Sequence, residues 1–334
     1  MPPGNSCVGD SADDPVGATY GQIFKSASYF YVVWNDQFYG APMPTRDGPW
    51  GHSKGMVAWD KNGDGVVMQV STPSWPASGS KSFPRKNDGN TLGCVNDNDV
   101  EVSQHFFALK LNKGDLIMVL NALANASVAT ASKAKPIKQI IKNGGPPDVQ
   151  AAVNKLGILA PSAKATMVTL SSGVRLISKP SNLLVPPWQM VSALLKEPSA
   201  SAGLALRTAN WWTNPDMIPQ TKTAAKPGCW DNALATPGAV AIAETGTWDN
   251  KSIRLAGGTK PPGNHAKIGV SEAPGATLSI FGDLNQQGTL EPVAKKAKSK
   301  PTCDVSQNGR GGTFYVLSDP KLFASVTNLL KSPP

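Results

Sequence analysis

The sequence is poor in long apolar runs, in paired cysteines and in histidine, and each shortage excludes a class of protein. No apolar run approaches the roughly 20 residues that a membrane-spanning helix needs, so we expect the chain as given to be soluble and not membrane-bound. Its first six residues lack the apolar stretch of a signal peptide, which is compatible with a mature N-terminus preceded by an added methionine. The four cysteines form no C-x-x-C pair, and this spacing is not that of a zinc site.

Two of the three histidines in the chain occur in the same short pattern. His52-Ser53-Lys54 and His265-Ala266-Lys267 are each followed by an apolar run, a turn and a second apolar run. On a β-strand, residues i and i+2 point to the same face. Each pattern is therefore predicted to present one imidazole beside one ammonium, and two facing copies would surround a single cleft.

These side chains suit the cleavage of a phosphodiester without a metal ion or other cofactor. One neutral histidine can attack phosphorus and form a phosphohistidine, while the other, protonated, donates a proton to the departing oxygen. The lysines would bind the non-bridging oxygens. We therefore predict catalytic roles for His52, Lys54, His265 and Lys267. A single His-x-Lys often arises by chance, and we interpret the third histidine, His105, as structural.

The charge balance suits a polyanionic partner. The chain has 32 basic against 23 acidic residues, a formal net charge of +9 and a pI near 9.3. Contacts to phosphates would give salt-sensitive binding that depends little on base sequence. A basic surface that serves only solubility is the alternative interpretation.

The doubled His-x-Lys pattern resembles the phospholipase D superfamily, and the sequence around it resembles deoxyribonuclease II. The similar segments follow the family's order and span nearly the whole chain: 35–37, 51–60, 70–73, 91–94, 265–267, 282–285 and 310–313. The resemblance implies an acid-active endonuclease that needs no divalent metal. It would cut double-stranded DNA and leave 3′-phosphate and 5′-hydroxyl ends.

The resemblance also implies an α/β, phospholipase D-like fold. Two similar halves would each contain a mixed β-sheet flanked by helices, with one active site at their interface. We place the halves at residues 1–130 and 131–334, because the stretch 124–164 is rich in Ala, Lys, Gly and Pro.

Further site residues are implied by position. Asn285 matches the superfamily asparagine that follows the second pair and contacts the phosphate, and the first copy offers Ser71 and Thr72 instead. Glu272 stands where the superfamily has an acidic residue five positions after the lysine, whereas the first copy has Trp59 there.

Glu272 is therefore expected to support the site, as is Asp283, which lies in the similar segment 282–285. The sequence does not decide which histidine attacks, although we favour His52.

The resemblance pairs Cys7 with Cys94 and leaves Cys229 with Cys303. Disulfides imply an exported protein, either secreted or periplasmic. The alternative is four free thiols in a cytosolic protein.

Local patterns predict the main elements. Residues 60–65 resemble the start of a calcium loop, but the twelfth position is Ser71 rather than glutamate, so we predict a hairpin turn. The predicted strands lie at 29–34, 57–59, 66–70, 167–177 and 203–212, and the predicted helices lie within 103–123 and at 148–156, 188–195 and 320–330.

Three functions remain compatible with the sequence. The first is an acid deoxyribonuclease whose partner is double-stranded DNA. The second is another phosphodiesterase of the superfamily, acting on RNA or a phospholipid, and the third is a non-catalytic nucleic-acid-binding protein. The sequence does not fix the oligomeric state, and a homodimer is compatible with it.

Overall fold

The structure is a computed structural model that describes residues 15–36, 48–72, 102–130, 141–213, 218–258, 263–296 and 298–331. Within these ranges the chain is a mixed α/β protein, as the sequence predicts, with two large sheets and one small sheet. None of the helices in these ranges is long and apolar enough to cross a membrane. The helices are α1 (Pro15–Lys25), α2 (Lys113–Asn125), α3 (Pro147–Val153), α4 (Pro187–Leu194) and α5 (Pro320–Leu329).

The first large sheet carries the first His-x-Lys pattern. Its strands are β1 (Phe30–Asn35), β2 (Lys54–Trp59), β3 (Gly65–Val70), β4 (Phe106–Leu111) and β5 (Ile141–Lys142). They are antiparallel and lie in the order β4-β3-β2-β1-β5. Between β2 and β3, the Asp60 carboxylate accepts hydrogen bonds from the N–H groups of Asn62 (2.8 Å) and Asp64 (3.1 Å), which confirms the predicted hairpin turn.

The second large sheet carries the second pattern. Its strands are β6 (Thr166–Thr169), β7 (Arg175–Lys179), β8 (Leu206–Ala209), β9 (Val240–Ile242), β12 (Ile268–Ser271), β13 (Leu278–Gly282) and β14 (Gly312–Ser318). They lie in the order β6-β7-β14-β13-β12-β8-β9, and only the β8–β9 pair is parallel. The small sheet pairs β10 (Thr245–Trp248) with β11 (Lys251–Arg254).

Four antiparallel strands are arranged in the same way in each of the two large sheets. The order β4-β3-β2-β1 in the first sheet matches β14-β13-β12-β8 in the second. In both runs, a hairpin follows the His-x-Lys pattern, the next strand lies beside that hairpin, and a helix comes directly afterwards. The two patterns therefore occupy equivalent places in their sheets.

Aromatic side chains join the two sheets. The ring of Phe107 from β4 has its centroid 5.1 Å from that of Phe281 in β13 and 4.8 Å from that of Tyr315 in β14. One buried cluster includes Trp34 from the first sheet, Tyr315 from the second and the apolar face of α2. Burial of each large apolar side chain stabilises the fold by about 1.5–3 kcal/mol, so the sheets are held close at this interface.

One predicted element was partly wrong, and one strand was not predicted. The helix predicted to cover part of 103–123 is confirmed as α2, which begins at Lys113. The segment before it, Phe106–Leu111, is the unpredicted strand β4, which alternates between exposed and more buried positions as a half-buried strand does. Asn112 then caps the helix through its side-chain oxygen. The single strand predicted at 167–177 is two strands, β6 and β7, joined by a turn in which Gly173 has a φ of 82°.

The other predicted elements that lie in the described ranges are confirmed within a few residues.

Cys229 and Cys303 form a disulfide with a Cα–Cα distance of 5.5 Å, whereas Cys7 and Cys94 lie outside the described residues. The segment after residue 130 contributes β5 to the edge of the first sheet. The boundary between residues 130 and 131 stays a prediction.

Candidate active site

His52 lies just before β2, in a segment held by the loop after α2 and by the residue that precedes β14. Its N–H donates to the carbonyl of Gly311 (2.8 Å), and the N–H of Gly51 donates to that of Ser127 (3.0 Å). A Cβ at Gly51 or Gly311 would collide with the carbonyl oxygen of Ala126, so the close approach of these segments requires glycine. This packing fixes the backbone that carries the first imidazole.

His265 is held in a similar way, three residues before β12. Its N–H donates to the carbonyl of Ser103 (2.8 Å). The Nζ of Lys267 donates to the carbonyl of His265 (2.6 Å), and the N–H of Lys267 donates to Nδ1 of His105 (3.1 Å). His105, interpreted from sequence as structural, thus orients the second pattern.

Each histidine is bonded to the strand end of the opposite sheet. Nδ1 of His52 lies 2.9 Å from the carbonyl oxygen of Asp283, which directly follows β13. Nδ1 of His265 lies 2.8 Å from the carbonyl oxygen of Ser71, which directly follows β3. The arrangement is reciprocal and brings the two His-x-Lys patterns together across the interface between the sheets.

These bonds set the tautomer of both imidazoles. A carbonyl oxygen can only accept, so Nδ1 must carry the proton in each contact. The Nζ of Lys267 also lies 3.2 Å from Nδ1 of His265, but the shorter contact with Ser71 and the bond from Nζ to the carbonyl of His265 favour the same tautomer. In a neutral ring Nε2 then has the lone pair, which is the atom required for attack or for taking up a proton.

The surroundings of both imidazoles disfavour the protonated form. Burial is the largest factor that lowers the pKa of His52 well below its usual value, followed by the charges of Lys54, Arg310 and Lys267. Burial likewise lowers the pKa of His265, followed by the charges of Lys267 and Lys54. The bond to a backbone carbonyl raises each pKa, but by less. A bound phosphate would raise both, since an anion stabilises the imidazolium.

Two of the three predicted phosphate ligands have unused polar atoms. Asn285 is 1% exposed, and neither atom of its amide group makes a hydrogen bond within the described part of the chain. The same holds for the hydroxyl of Thr72. Buried polar groups are usually paired, so these atoms are suited to a ligand. The Ser71 hydroxyl instead donates to Gln104 (2.6 Å) and accepts from the N–H of His105 (2.9 Å), so its contacts do not favour phosphate binding.

Asp283, predicted to support the site, contacts His52 through its backbone. Its side chain accepts hydrogen bonds from both the N–H and the hydroxyl of Thr313 (2.7 Å each). Burial raises the pKa of Asp283 to about 6, although the bonds from Thr313 act in the opposite direction. The carboxyl group can therefore titrate in mildly acidic solution.

The other predicted supporting residue, Glu272, is not brought to the histidines. It follows the end of β12 that is remote from Lys267, and its carboxylate pairs with Nε of Arg207 (2.6 Å) in a partly exposed position. Trp59, the residue at the corresponding place in the first copy, is buried in the core. The supporting role of Glu272 stays a prediction that these contacts do not favour.

Asp36 and Arg310 are site residues that the sequence did not single out. The Lys54 Nζ lies 2.6 Å from Oδ1 of Asp36, and Nη2 of Arg310 lies 2.9 Å from Oδ2 of the same carboxylate. The signal for both was their place in the similar segments: Asp36 lies in 35–37, directly after a run of β-formers, and Arg310 opens 310–313, but neither was given a role. Within the described residues, no group of three or more His, Cys, Asp or Glu side chains could hold a metal ion.

Comparison with known families gives one match. A family model described as deoxyribonuclease II matches residues 5–179, slightly more than half of the chain. The matched region contains His52 and Lys54 but ends before His265 and Lys267. No curated protein matches the chain.

Proposed function

The chain belongs to the deoxyribonuclease II family, and we propose that it is a metal-independent, acid-active endonuclease that cuts double-stranded DNA through a phosphohistidine. Family membership supports a hydrolase of the nuclease class with DNA as its substrate. The mechanism, the products and the metal independence are our proposal.

The reciprocal placement of the two histidines carries the proposal. Each Nδ1 is bonded to a carbonyl oxygen at the end of the opposite hairpin, so Nε2 carries the lone pair in each neutral ring. One ring attacks phosphorus and displaces the 5′ oxygen, and the second ring, protonated, donates a proton to that oxygen. The second ring then takes a proton from water, which attacks the phosphohistidine and releases a 3′-phosphate. We favour His52 as the nucleophile.

The remaining residues bind the phosphate. Lys54 and Lys267 supply positive charge beside the two rings, and the free amide of Asn285 and hydroxyl of Thr72 supply hydrogen bonds. Such donors are most effective in a buried site, where water does not compete with them. The net charge of +9 would strengthen binding to DNA.

The proposal extends to fold and location. The equivalent strand orders support a phospholipase D-like arrangement of two halves, residues 1–130 and 131–334, around one site. The disulfide between Cys229 and Cys303 supports a secreted or periplasmic protein.

Plasmid cleavage in excess EDTA at pH 5 tests the proposal. We expect nicking and cutting that survive the chelator, with 3′ ends that a polymerase extends only after phosphatase treatment. Loss of activity with EDTA, or 3′-hydroxyl ends, would contradict the mechanism. Cleavage of RNA or phosphatidylcholine instead of DNA would move the protein to another substrate class, and DNA binding without turnover from pH 4 to 8 would indicate a non-catalytic protein.

A further inference from the structure

One buried carboxylate joins the two sheets beside His52. Asp36 directly follows β1 of the first sheet and is fully buried. It contacts Lys54 of the first sheet at 2.6 Å and Arg310, which precedes β14 of the second sheet, at 2.9 Å. The lysine ammonium and the guanidinium are therefore held by the two oxygens of a single side chain.

Arg310 also holds the segment that carries His52. Its Nε donates to the carbonyl of Trp50 (2.8 Å) and its Nη2 to that of Gly51 (3.0 Å). Next to it, the carbonyl of Gly311 accepts the N–H of His52 (2.8 Å). The guanidinium of Arg310 thus contacts both Asp36, which pairs with Lys54, and the backbone that leads into His52.

The second sheet fixes Arg310 in turn. Arg310 follows the 3₁₀ turn Ser306–Gly309. The buried Nζ of Lys179 donates to the carbonyls of Asn308 (2.8 Å) and Arg310 (3.0 Å). The backbone of Arg310 is thereby tied to the end of β7.

We propose that Asp36 and Arg310 are positioning residues, which fix the Lys54 ammonium and the His52 imidazole relative to each other across the two sheets. The inference rests on the proposed function, because it assigns the pair to the same reaction. Neither residue needs to touch the DNA in this role.

The chemistry of the two side chains suits this role. A guanidinium presents several N–H groups in a fixed plane, so it can contact a carboxylate and two carbonyls at once, which a single ammonium does with poorer geometry. Misplacing a catalytic group by about 1 Å can lower a rate roughly 100-fold. The charge of Arg310 also lowers the pKa of His52, after burial and Lys54.

Two substitutions separate geometry from charge. Arg310→Gln removes both the charge and the fork of N–H groups, whereas Arg310→Lys keeps the charge and loses the fork. Arg207→Gln is the matched control, because it breaks an arginine–carboxylate ion pair of 2.6 Å at a partly exposed position, compared with 2.9 Å for Arg310 and Asp36. The chain contains three histidines, so each imidazole can be followed by NMR.

We expect kcat on plasmid DNA to fall about 100-fold in Arg310→Gln and about 10-fold in Arg310→Lys, with KM changed less than about 3-fold. His52 should titrate at higher pH in Arg310→Gln but not in Arg310→Lys, while Arg207→Gln behaves as the wild type. If Arg310→Gln does not fold, Arg310→Lys decides the kinetic test.

Three results would overturn the inference: unchanged kcat in Arg310→Lys, a rise in KM alone with a weaker salt dependence, or an unmoved His52 titration in Arg310→Gln. The second result would indicate direct contact with DNA. A wild type without nuclease activity would refute the proposed function, whereas the NMR comparison would still decide whether Arg310 acts on His52.

Discussion

The two His-x-Lys patterns have the same backbone setting and different neighbours. In both, the imidazole bonds to a carbonyl at the end of the opposite hairpin. Around the first, Lys54 pairs with Asp36, which also holds Arg310. Around the second, the indole ring of Trp211 lies 5.5 Å from the imidazole of His265, measured between ring centroids.

Strand pairing shows that these neighbours occupy equivalent positions. Asn35 lies opposite Lys54. The pairing of Ala209 with Ile268 continues to place Asn210 opposite Lys267. Asp36 and Trp211 are the residues that follow Asn35 and Asn210.

One half of the site therefore has a carboxylate where the other has an indole. The strands give two similar rings, and the side chains around them give the rings different surroundings. A reaction that needs one base and one acid can use that difference.

Removing either imidazole should have the largest effect on activity and tests whether the two halves form one site. We expect His52→Ala and His265→Ala each to lower kcat at least about 1,000-fold. One variant lacks the nucleophile and the other lacks the proton donor, and no neighbouring side chain replaces either. Thermal unfolding should show that both variants remain folded. Near-normal activity in either one would mean that the two patterns do not form one site.

A phosphoryl trap distinguishes the roles of the rings. Quenching with denaturant at alkaline pH, where the phosphorus–nitrogen bond is stable, or single-turnover NMR with a short DNA duplex should place the covalent phosphate on His52. The His265→Ala variant should slow the steps that need a proton donor. Phosphate on His265 would reverse the assignment while leaving the two-histidine site intact.

The two predicted phosphate ligands with unused polar atoms, Asn285 in the second half and Thr72 in the first, sharpen the comparison at a smaller scale. Within the described residues, both polar atoms of the Asn285 amide and the hydroxyl of Thr72 lack a hydrogen-bond partner. Asn285→Ala is therefore expected to lower kcat/KM about 100-fold and Thr72→Ala about 10-fold, as loss of donors to a developing charge does. Equal effects, or a larger effect at Thr72, would show that the phosphate lies closer to the first half of the site.

The pH dependence reports which ring acts as the acid. Burial and the nearby lysines lower the pKa of both histidines, so few molecules have a protonated ring at pH 7 and activity should rise as the pH falls below about 6.5. Lys54→Met should raise the pKa of His52, and Lys267→Met that of His265, because each change removes the largest charge that disfavours the imidazolium.

The pH–rate profiles of the two lysine variants are the measurement. If His265 is the acid, the falling limb of the profile moves to higher pH mainly in Lys267→Met. A wild-type rate that increases steadily through pH 8 would contradict the proposed roles of both rings.

Local sequence patterns predicted most of the elements around the site. The β-former run at 29–34 became β1, and the turn residues between Asp60 and Gly65 became the first hairpin, because both depend on neighbours in the sequence. The repeated His-x-Lys pattern also predicted that the two histidines and two lysines lie close together, and the structure places them on either side of the interface between the sheets.

Long-range pairing set the rest. Asp36 and Arg310 are 274 positions apart, and only the packing of the two sheets makes them partners. The strand at Phe106–Leu111 was missed because its apolar residues also fit a helix, and the choice depends on pairing with β3. Glu272 was predicted to support the site from a family pattern alone. In the structure its carboxylate instead pairs with the nearby Arg207.

The smallest expected effect concerns the two residues that hold the rings. Asp283 and Ser71 occupy equivalent places, but only Asp283 can titrate, and its pKa is raised from 3.8 to about 6. A raised pKa makes its contribution to stability fully present below pH 3.8 and lost as the pH rises through about 6. A shift of about two units corresponds to about 3 kcal/mol in the free energy of unfolding.

Denaturant unfolding at pH 4, 5, 6 and 7 tests this difference. Relative to Asp283→Asn, which keeps a neutral side chain, the wild type should lose up to about 3 kcal/mol between pH 4 and 7. The histidines, whose lowered pKa values act in the opposite direction, are present in both proteins and cancel. Ser71→Ala should differ from the wild type by a similar amount at every pH. If the wild type and Asp283→Asn gave parallel curves, the carboxyl of Asp283 would not be what distinguishes the two strand ends.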